Sequence, residues 1–127
     1  MEIGRFNPPG FAFEGMSQAV AFGGLVLVSG QVALKEGRPV GAGDPAAQAE
    51  QCFENLRAAL GEAGAGFDDV VMLRCYLTDE RHYPAYAAVK NRLFRERPPC
   101  GTAVIVKGLL LPELLMEVEA MAVRRAG

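Results

Sequence analysis

Residues 114–123 alternate strictly, and this stretch constrains the fold more than any other. In an extended segment Met116, Val118, Ala120 and Ala122 fall on one face, and Leu115, Glu117, Glu119, Met121 and Val123 on the other. The first face is wholly apolar and suits packing beneath helices. The second mixes large apolar side chains with two carboxylates, so it fits neither a dry core nor an ordinary solvent face. A fold that uses this strand must cover one side completely and give the other a mixed environment.

The rest of the chain supplies that cover. Residues 1–15, rich in Phe, Pro and Gly, read as an irregular arm. Extended runs over 17–22 and 25–31 flank Gly23-Gly24, the signature of a tight hairpin. Leu25-Val26-Leu27-Val28 is continuously apolar, which predicts a strand buried on both faces. A polar connection over 35–43, with a short strand at 38–40, leads to Asp44-Pro45, a helix N-cap followed by proline at the first helical position. Ala49, Cys52, Phe53, Leu56, Leu60 and Ala63 then repeat at helical spacing, and Gly61, Gly64 and Gly66 mark the end. Residues 70–77 form the next strand. Thr78-Asp79 caps a second helix running to about Phe94, with Tyr86, Val89, Leu93 and Phe94 inward, and Pro98-Pro99 forbids its continuation. Strands over 102–107 and 114–123 complete the order ββ(β)αβαββ, an α+β mixed sheet with both helices on one face.

One domain accounts for all 127 residues. Half of the residues are hydrophobic, more than two helices on one sheet face can bury, so the other face is expected to meet a second copy. The net charge of −2 opposes a nucleic-acid platform, and the Arg124-Arg125 pair reads as a solvated tail. Three scattered cysteines and one histidine make no metal pattern, and reduced thiols point to a cytoplasmic protein. No signal-type segment opens the chain, and the apolar run at 109–111 is far too short to span a bilayer.

Ser17-Gln18-Ala19-Val20, Val28-Ser29-Gly30-Gln31 and Glu117-Val118-Glu119-Ala120-Met121-Ala122 occur in the order and spacing of the markers of the Rid (reactive-intermediate deaminase) family, which the whole chain resembles. The resemblance implies a chorismate-mutase-like fold and a homotrimer with small-molecule clefts between adjacent subunits. It also implies hydrolysis of reactive enamines and imines to oxo acids and ammonia, without a cofactor or metal. Some relatives bear the names endoribonuclease or translation inhibitor.

Carried onto this sequence, the family pattern leaves Ser29, the Gly30 backbone and Glu117 as polar groups of the cleft, with Met16 and Gly101 at its replaced positions; Glu117 is the candidate acid/base or else a structural carboxylate paired across the trimer, and Cys100 a thiol at the cleft or else a small core residue. The pattern breaks at three positions. Gly101 stands where the family has an Arg that grips the substrate carboxylate, Met16 replaces a Tyr, and Ala87 replaces an Asn. Losing a bidentate guanidinium–carboxylate contact removes two charge-assisted hydrogen bonds of about 1.5–3 kcal/mol each, or roughly 10²–10⁴ in kcat/KM. Turnover of 2-iminobutanoate or 2-iminopropanoate is therefore not expected, and a neutral or cationic imine suits the cleft better. Glu117, set among apolar neighbours, is expected to titrate high. The competing readings are a non-catalytic metabolite-binding trimer and, behind it, an endoribonuclease; neither nucleic acid nor membrane is an expected partner.

Overall fold

A computed structural model describes residues 1–124. Eight strands and two helices follow one another as β1 (Ile3–Phe6), β2 (Ala19–Phe22), β3 (Leu25–Gln31), β4 (Leu34–Lys35), β5 (Arg38–Pro39), α1 (Pro45–Glu62), β6 (Val70–Leu77), α2 (Tyr83–Leu93), β7 (Cys100–Ile105) and β8 (Met116–Val123). Six strands form one sheet in the order β1-β2-β3-β8-β6-β7, and β4 and β5 make a separate small hairpin. Every pair in the large sheet is antiparallel except β6–β7, which run parallel because α2 carries the chain back across the sheet.

Local chemistry explains most of these boundaries. The β2–β3 hairpin closes at Phe22↔Leu25, with Gly23 at φ +58° in the turn, where a side chain would be strained. Asp44 accepts a hydrogen bond from the Ala47 amide at 3.1 Å while Pro45 sits inside the first turn of α1. Asp79 caps a short 3-10 turn at Glu80–His82, so α2 begins at Tyr83, a turn later than the capping signal suggests.

The helices cover one face of the sheet. Phe53 lies at the centre of the core, stacked on Tyr86 at 5.7 Å between centroids and flanked by Phe94 and Phe67. Met116, Val118, Ala120 and Ala122 are buried beneath the helices, as the alternation requires. Cys52 and Cys75 are buried there too, and burial pushes the Cys75 thiol up to about 12.

Three expectations change. The N-terminal arm contains a strand: Ile3–Phe6 pairs with β2, because antiparallel pairing satisfies the backbone of an edge segment that shows no apolar period. The run 25–28 is buried on one face only; Val26 and Val28 enter the core while Leu27 is 37% exposed, since nothing within one chain covers its side of the sheet. Arg124 is no free tail. Its Nη1 donates to the Ala63 carbonyl at 2.8 Å, a cation on the orphan carbonyls at the end of α1. Arg125 lies outside the described residues. Among the described residues no helix is long and apolar enough to cross a membrane.

Candidate functional site

On the sheet face opposite the helices, β8 presents Glu117 and Glu119 beside β6, in register with Tyr76 and Arg74 respectively. Residues two apart on a strand share a face, and β6 puts Arg74 and Tyr76 outward because Leu73, Cys75 and Leu77 are buried. The Arg74 Nη1 and the Tyr76 hydroxyl both donate to Glu119 Oε1, each at 2.6 Å. Glu119 is thereby held in place by two donors that converge on one of its oxygens.

Glu117 differs in kind. No side chain donates to it among the described residues, and it is packed against Gly30 of β3. A Cβ at Gly30 would lie 2.6 Å from Glu117 Oε2 and 2.7 Å from its carboxyl carbon, so only glycine lets this carboxyl occupy its place. A shift in the β3–β8 register between Val28 and Gln31 opens the ladder there and makes the room. Burial, and secondarily the charge of Glu119, hold the Glu117 carboxyl above the usual glutamate range.

Both carboxylates face a cavity of about 580 Å³ whose floor also includes Ser29, Gly30, Gln18 and Gln31. Its walls are apolar: Phe11, Phe13 and Met16 from the segment before β2, and Leu110, Leu111 and Leu114 from the β7–β8 connection. No lysine, arginine or histidine lines it among the described residues.

Helix α1 secures two sides of this cavity from behind. The buried Gln48 side chain donates to the Gly41 and Glu113 carbonyls and accepts from the Leu115 amide, anchoring the β7–β8 connection. Asn55 donates to the Val32 and Leu34 carbonyls, fixing the segment that follows β3. The floor is tied together by amides: Gln31 Nε2 donates to Gln18 Oε1 at 2.8 Å and to the Ser29 carbonyl, while Gln18 Nε2 donates to the Phe11 carbonyl. The Ser29 hydroxyl donates to the Ser17 carbonyl at 2.7 Å.

Of the residues singled out from the sequence, the chain brings together Glu117, Ser29, Gly30 and Met16. Cys100 and Gly101 lie elsewhere, on the edge strand β7, beside a smaller cavity of about 220 Å³ shared with Tyr83, Tyr86 and Lys90. Cys100 is exposed rather than a small core thiol. Ala87, at the position of the missing Asn, is on α2, behind the sheet. Sequence reasoning passed over the Phe11 and Phe13 wall, the leucines at 110 and 111, and the pairing of Glu119 with Arg74. The phenylalanines lay in a stretch without periodicity. The partnership of Arg74 and Glu119 needed the knowledge that β6 and β8 are neighbours, which alternation alone does not give. Among the described residues no cluster of three or more His, Cys, Asp or Glu side chains is placed to hold a metal ion.

Two helices on one face of a mixed sheet place the chain in the class of small α+β proteins with a chorismate-mutase-like fold. Residues 11–124 match the family described as Endoribonuclease L-PSP, and the chain belongs to this family, known also as Rid or YjgF. It is 36% identical over 107 residues to a RutC family protein of Pyrococcus abyssi, covering 84% of each chain. A RutC family protein of Escherichia coli is 38% identical over 102 residues, covering 78% of this chain and 76% of that one. Among solved structures, the YjgF gene product of Escherichia coli superimposes with a TM-score of 0.81 at 30% identity, over 94% of both chains. A YjgF-family protein of Mycobacterium tuberculosis does so with a TM-score of 0.77 at 35% identity, over 87% of both.

Proposed function

We propose that this protein hydrolyses small imines or enamines that carry no carboxylate, in a cleft centred on Glu117. The observation that carries this reading is the Glu117 carboxyl itself: half-buried, without a side-chain donor, pressed against Gly30 and open to a cavity. Burial holds the carboxyl of such a group above the usual glutamate range, the direction that acid/base catalysis asks of it.

In the reaction, a water adds to the carbon of a protonated C=N group. The C–O bond forms as the π pair moves to nitrogen, and ionised Glu117 takes the proton that the water loses. Returned to nitrogen, that proton makes it a leaving group; ionised Glu117 then takes the hydroxyl proton as the C=O bond forms and the C–N bond breaks, and hands it to the released ammonia, leaving a carbonyl compound, an ammonium ion and ionised Glu117. One water is consumed and charge is conserved. Ser29 and Gly30 border the place where the substrate would lie.

The exclusion of carboxylated substrates rests on charge. Among the described residues of one chain the cavity walls carry no cation, and Arg74 beside it is engaged by Glu119. A homotrimer belongs to the same proposal: the open sheet face and the exposed edge strand β7 would meet neighbouring copies. Cys100 and Gly101 would then close a neighbour's cleft. Two carboxylates and an apolar wall also suit a phosphodiester poorly, which ranks ribonuclease activity last.

An amine oxidase acting on a simple alkylamine generates the imine in situ, and the protein should speed release of ammonia. Glu117→Gln should abolish that acceleration, whereas imines made from amino acids, which keep their carboxylate, should be accelerated little. Binding of amines without any faster hydrolysis would favour a non-catalytic metabolite-binding role.

A further inference from the structure

The polar floor of the cavity is rich in acceptors and short of free donors, while its walls are large and apolar. The Ser29 hydroxyl has only one hydrogen and spends it on the Ser17 carbonyl. Both N–H groups of the Gln31 amide are engaged, on Gln18 Oε1 and the Ser29 carbonyl, and the Gln18 amide donates to the Phe11 carbonyl. What remains toward the cavity is one N–H of the Gln18 amide against a larger set of acceptors: the Glu117 carboxyl, the Glu119 oxygen that Arg74 and Tyr76 leave free, and the lone pairs of Ser29. Two acidic side chains, Glu117 and Glu119, line the floor, and the arginine beside them, Arg74, is paired to Glu119. A bound group that supplies N–H donors and a positive charge completes this arrangement; one that supplies a carboxylate opposes it.

The walls set the other half of the specificity. Phe11 and Phe13 meet edge to face with centroids 6.4 Å apart, and Phe13 and Met16 are each 42% exposed. Leu110 and Leu111 stand opposite them, also exposed. Large apolar side chains held around an opening leave apolar area for a ligand to cover, and a volume of about 580 Å³ is much larger than a two- or three-carbon imine needs. Aromatic faces also attract a cation lying near them.

We propose that the cavity selects bulky apolar amine-derived cations, an aryl-alkyl iminium or the corresponding ammonium. The nitrogen sits between Glu117 and Glu119, and the hydrocarbon body lies against Phe11, Phe13 and Met16. This names the substrate class for the hydrolytic reading above and rests on that reading only where turnover is concerned. It also gives Glu119 a part in binding beyond its pairing with Arg74.

The test separates binding from turnover by using a saturated amine, which cannot be hydrolysed. Calorimetry on the full chain in its native assembly compares 2-phenylethylamine, methylamine and phenylacetate, and a parallel assay follows hydrolysis of the imine that an amine oxidase makes from 2-phenylethylamine. The aryl amine should bind at least tenfold tighter than methylamine, roughly the gain from burying a ring on an apolar wall. Phenylacetate should show no binding. Phe13→Ala, at a position exposed enough to leave the core untouched, should remove most of that gain and leave methylamine unchanged. Glu117→Gln should weaken both amines, and Met16→Ala gives a second probe of the wall should Phe13→Ala prove unstable. Equal affinity for the two amines, or tighter binding of phenylacetate, overturns the ligand class even if small imines are hydrolysed. Tight aryl-amine binding without accelerated hydrolysis upholds the class and overturns only the hydrolytic reading.

Discussion

At the scale of single residues, the site reduces to a contact between a carboxyl and a glycine. Gly30→Ala would place a methyl group 2.6 Å from Glu117 Oε2, so the Glu117 side chain must leave its position. The expected outcome is a folded protein whose imine hydrolysis falls by roughly 10²-fold, since a catalytic group displaced by about 1 Å loses that much. Circular dichroism checks the fold and the coupled oxidase assay the rate. The two glutamates also predict a pH dependence. Burial and the charge of Glu119 raise the Glu117 pKa above its ordinary value of 4.5, so the folded protein holds this proton more tightly than the unfolded chain. That contribution to stability is complete below about 4.5 and is lost as pH rises through the raised value. Thermal unfolding across that window should therefore show a decline in Tm that disappears in Glu117→Gln. If ionised Glu117 is the working form, the acid limb of kcat/KM lies above 4.5. Glu119→Gln should move it down, because a like charge is removed and Arg74 is freed toward Glu117.

At the scale of elements, α1 does two jobs along its buried side. Its aliphatic and aromatic residues make the core, and its amides Gln48 and Asn55 reach past the sheet's end to hold the loops that wall the cavity. Gln48→Leu keeps the volume but strands the Leu115 amide and the Glu113 and Gly41 carbonyls, which should cost about 2–4 kcal/mol. Denaturant unfolding gives the loss directly. Because the same bonds place Leu110, Leu111 and Leu114, aryl-amine binding should weaken along with stability. A core change that spares these loops should lower stability alone.

At the scale of the whole molecule, one sheet face is sealed by helices and the other is left with Leu27, Val104 and Val123 exposed around the carboxylates. The trimer proposed above covers this face, and light scattering should then give three times the 13.6 kDa subunit mass. Gly101→Arg tests both the assembly and the family alignment. A side chain at Gly101 meets nothing within 4 Å, and its backbone lies outside the left-handed region, so the substitution should leave fold and assembly intact. In a trimer the guanidinium would enter a neighbour's cleft, and affinity for 2-oxobutyrate or benzoate should rise by about 1–3 kcal/mol. Unchanged carboxylate affinity in a folded trimer would show that Gly101 does not face the cleft.

Much of this protein was legible in its sequence because periodicity reports burial. The alternation over 114–123 assigned each face of β8 correctly, the Asp44-Pro45 signal set the start of α1, and Gly23-Gly24 set the β2–β3 hairpin. The segments Ser17–Val20, Val28–Gln31 and Glu117–Ala122 pointed to the family, and alternation put Glu117 and Glu119 on one face. Local signals could not supply adjacency. That β8 runs between β3 and β6, so that Gly30 lies under Glu117 and Arg74 reaches Glu119, follows from how distant segments pair. The same holds for Phe11 and Phe13, which have no helical or strand period and become a cavity wall only because Gln18 and Gln31 tie their segment to the sheet. Propensity and pattern act within a few residues, whereas the site is made by hydrogen bonds and steric fits between residues far apart in the chain. The sequence by itself determined which side chains face which way; the tertiary structure decided which of them meet.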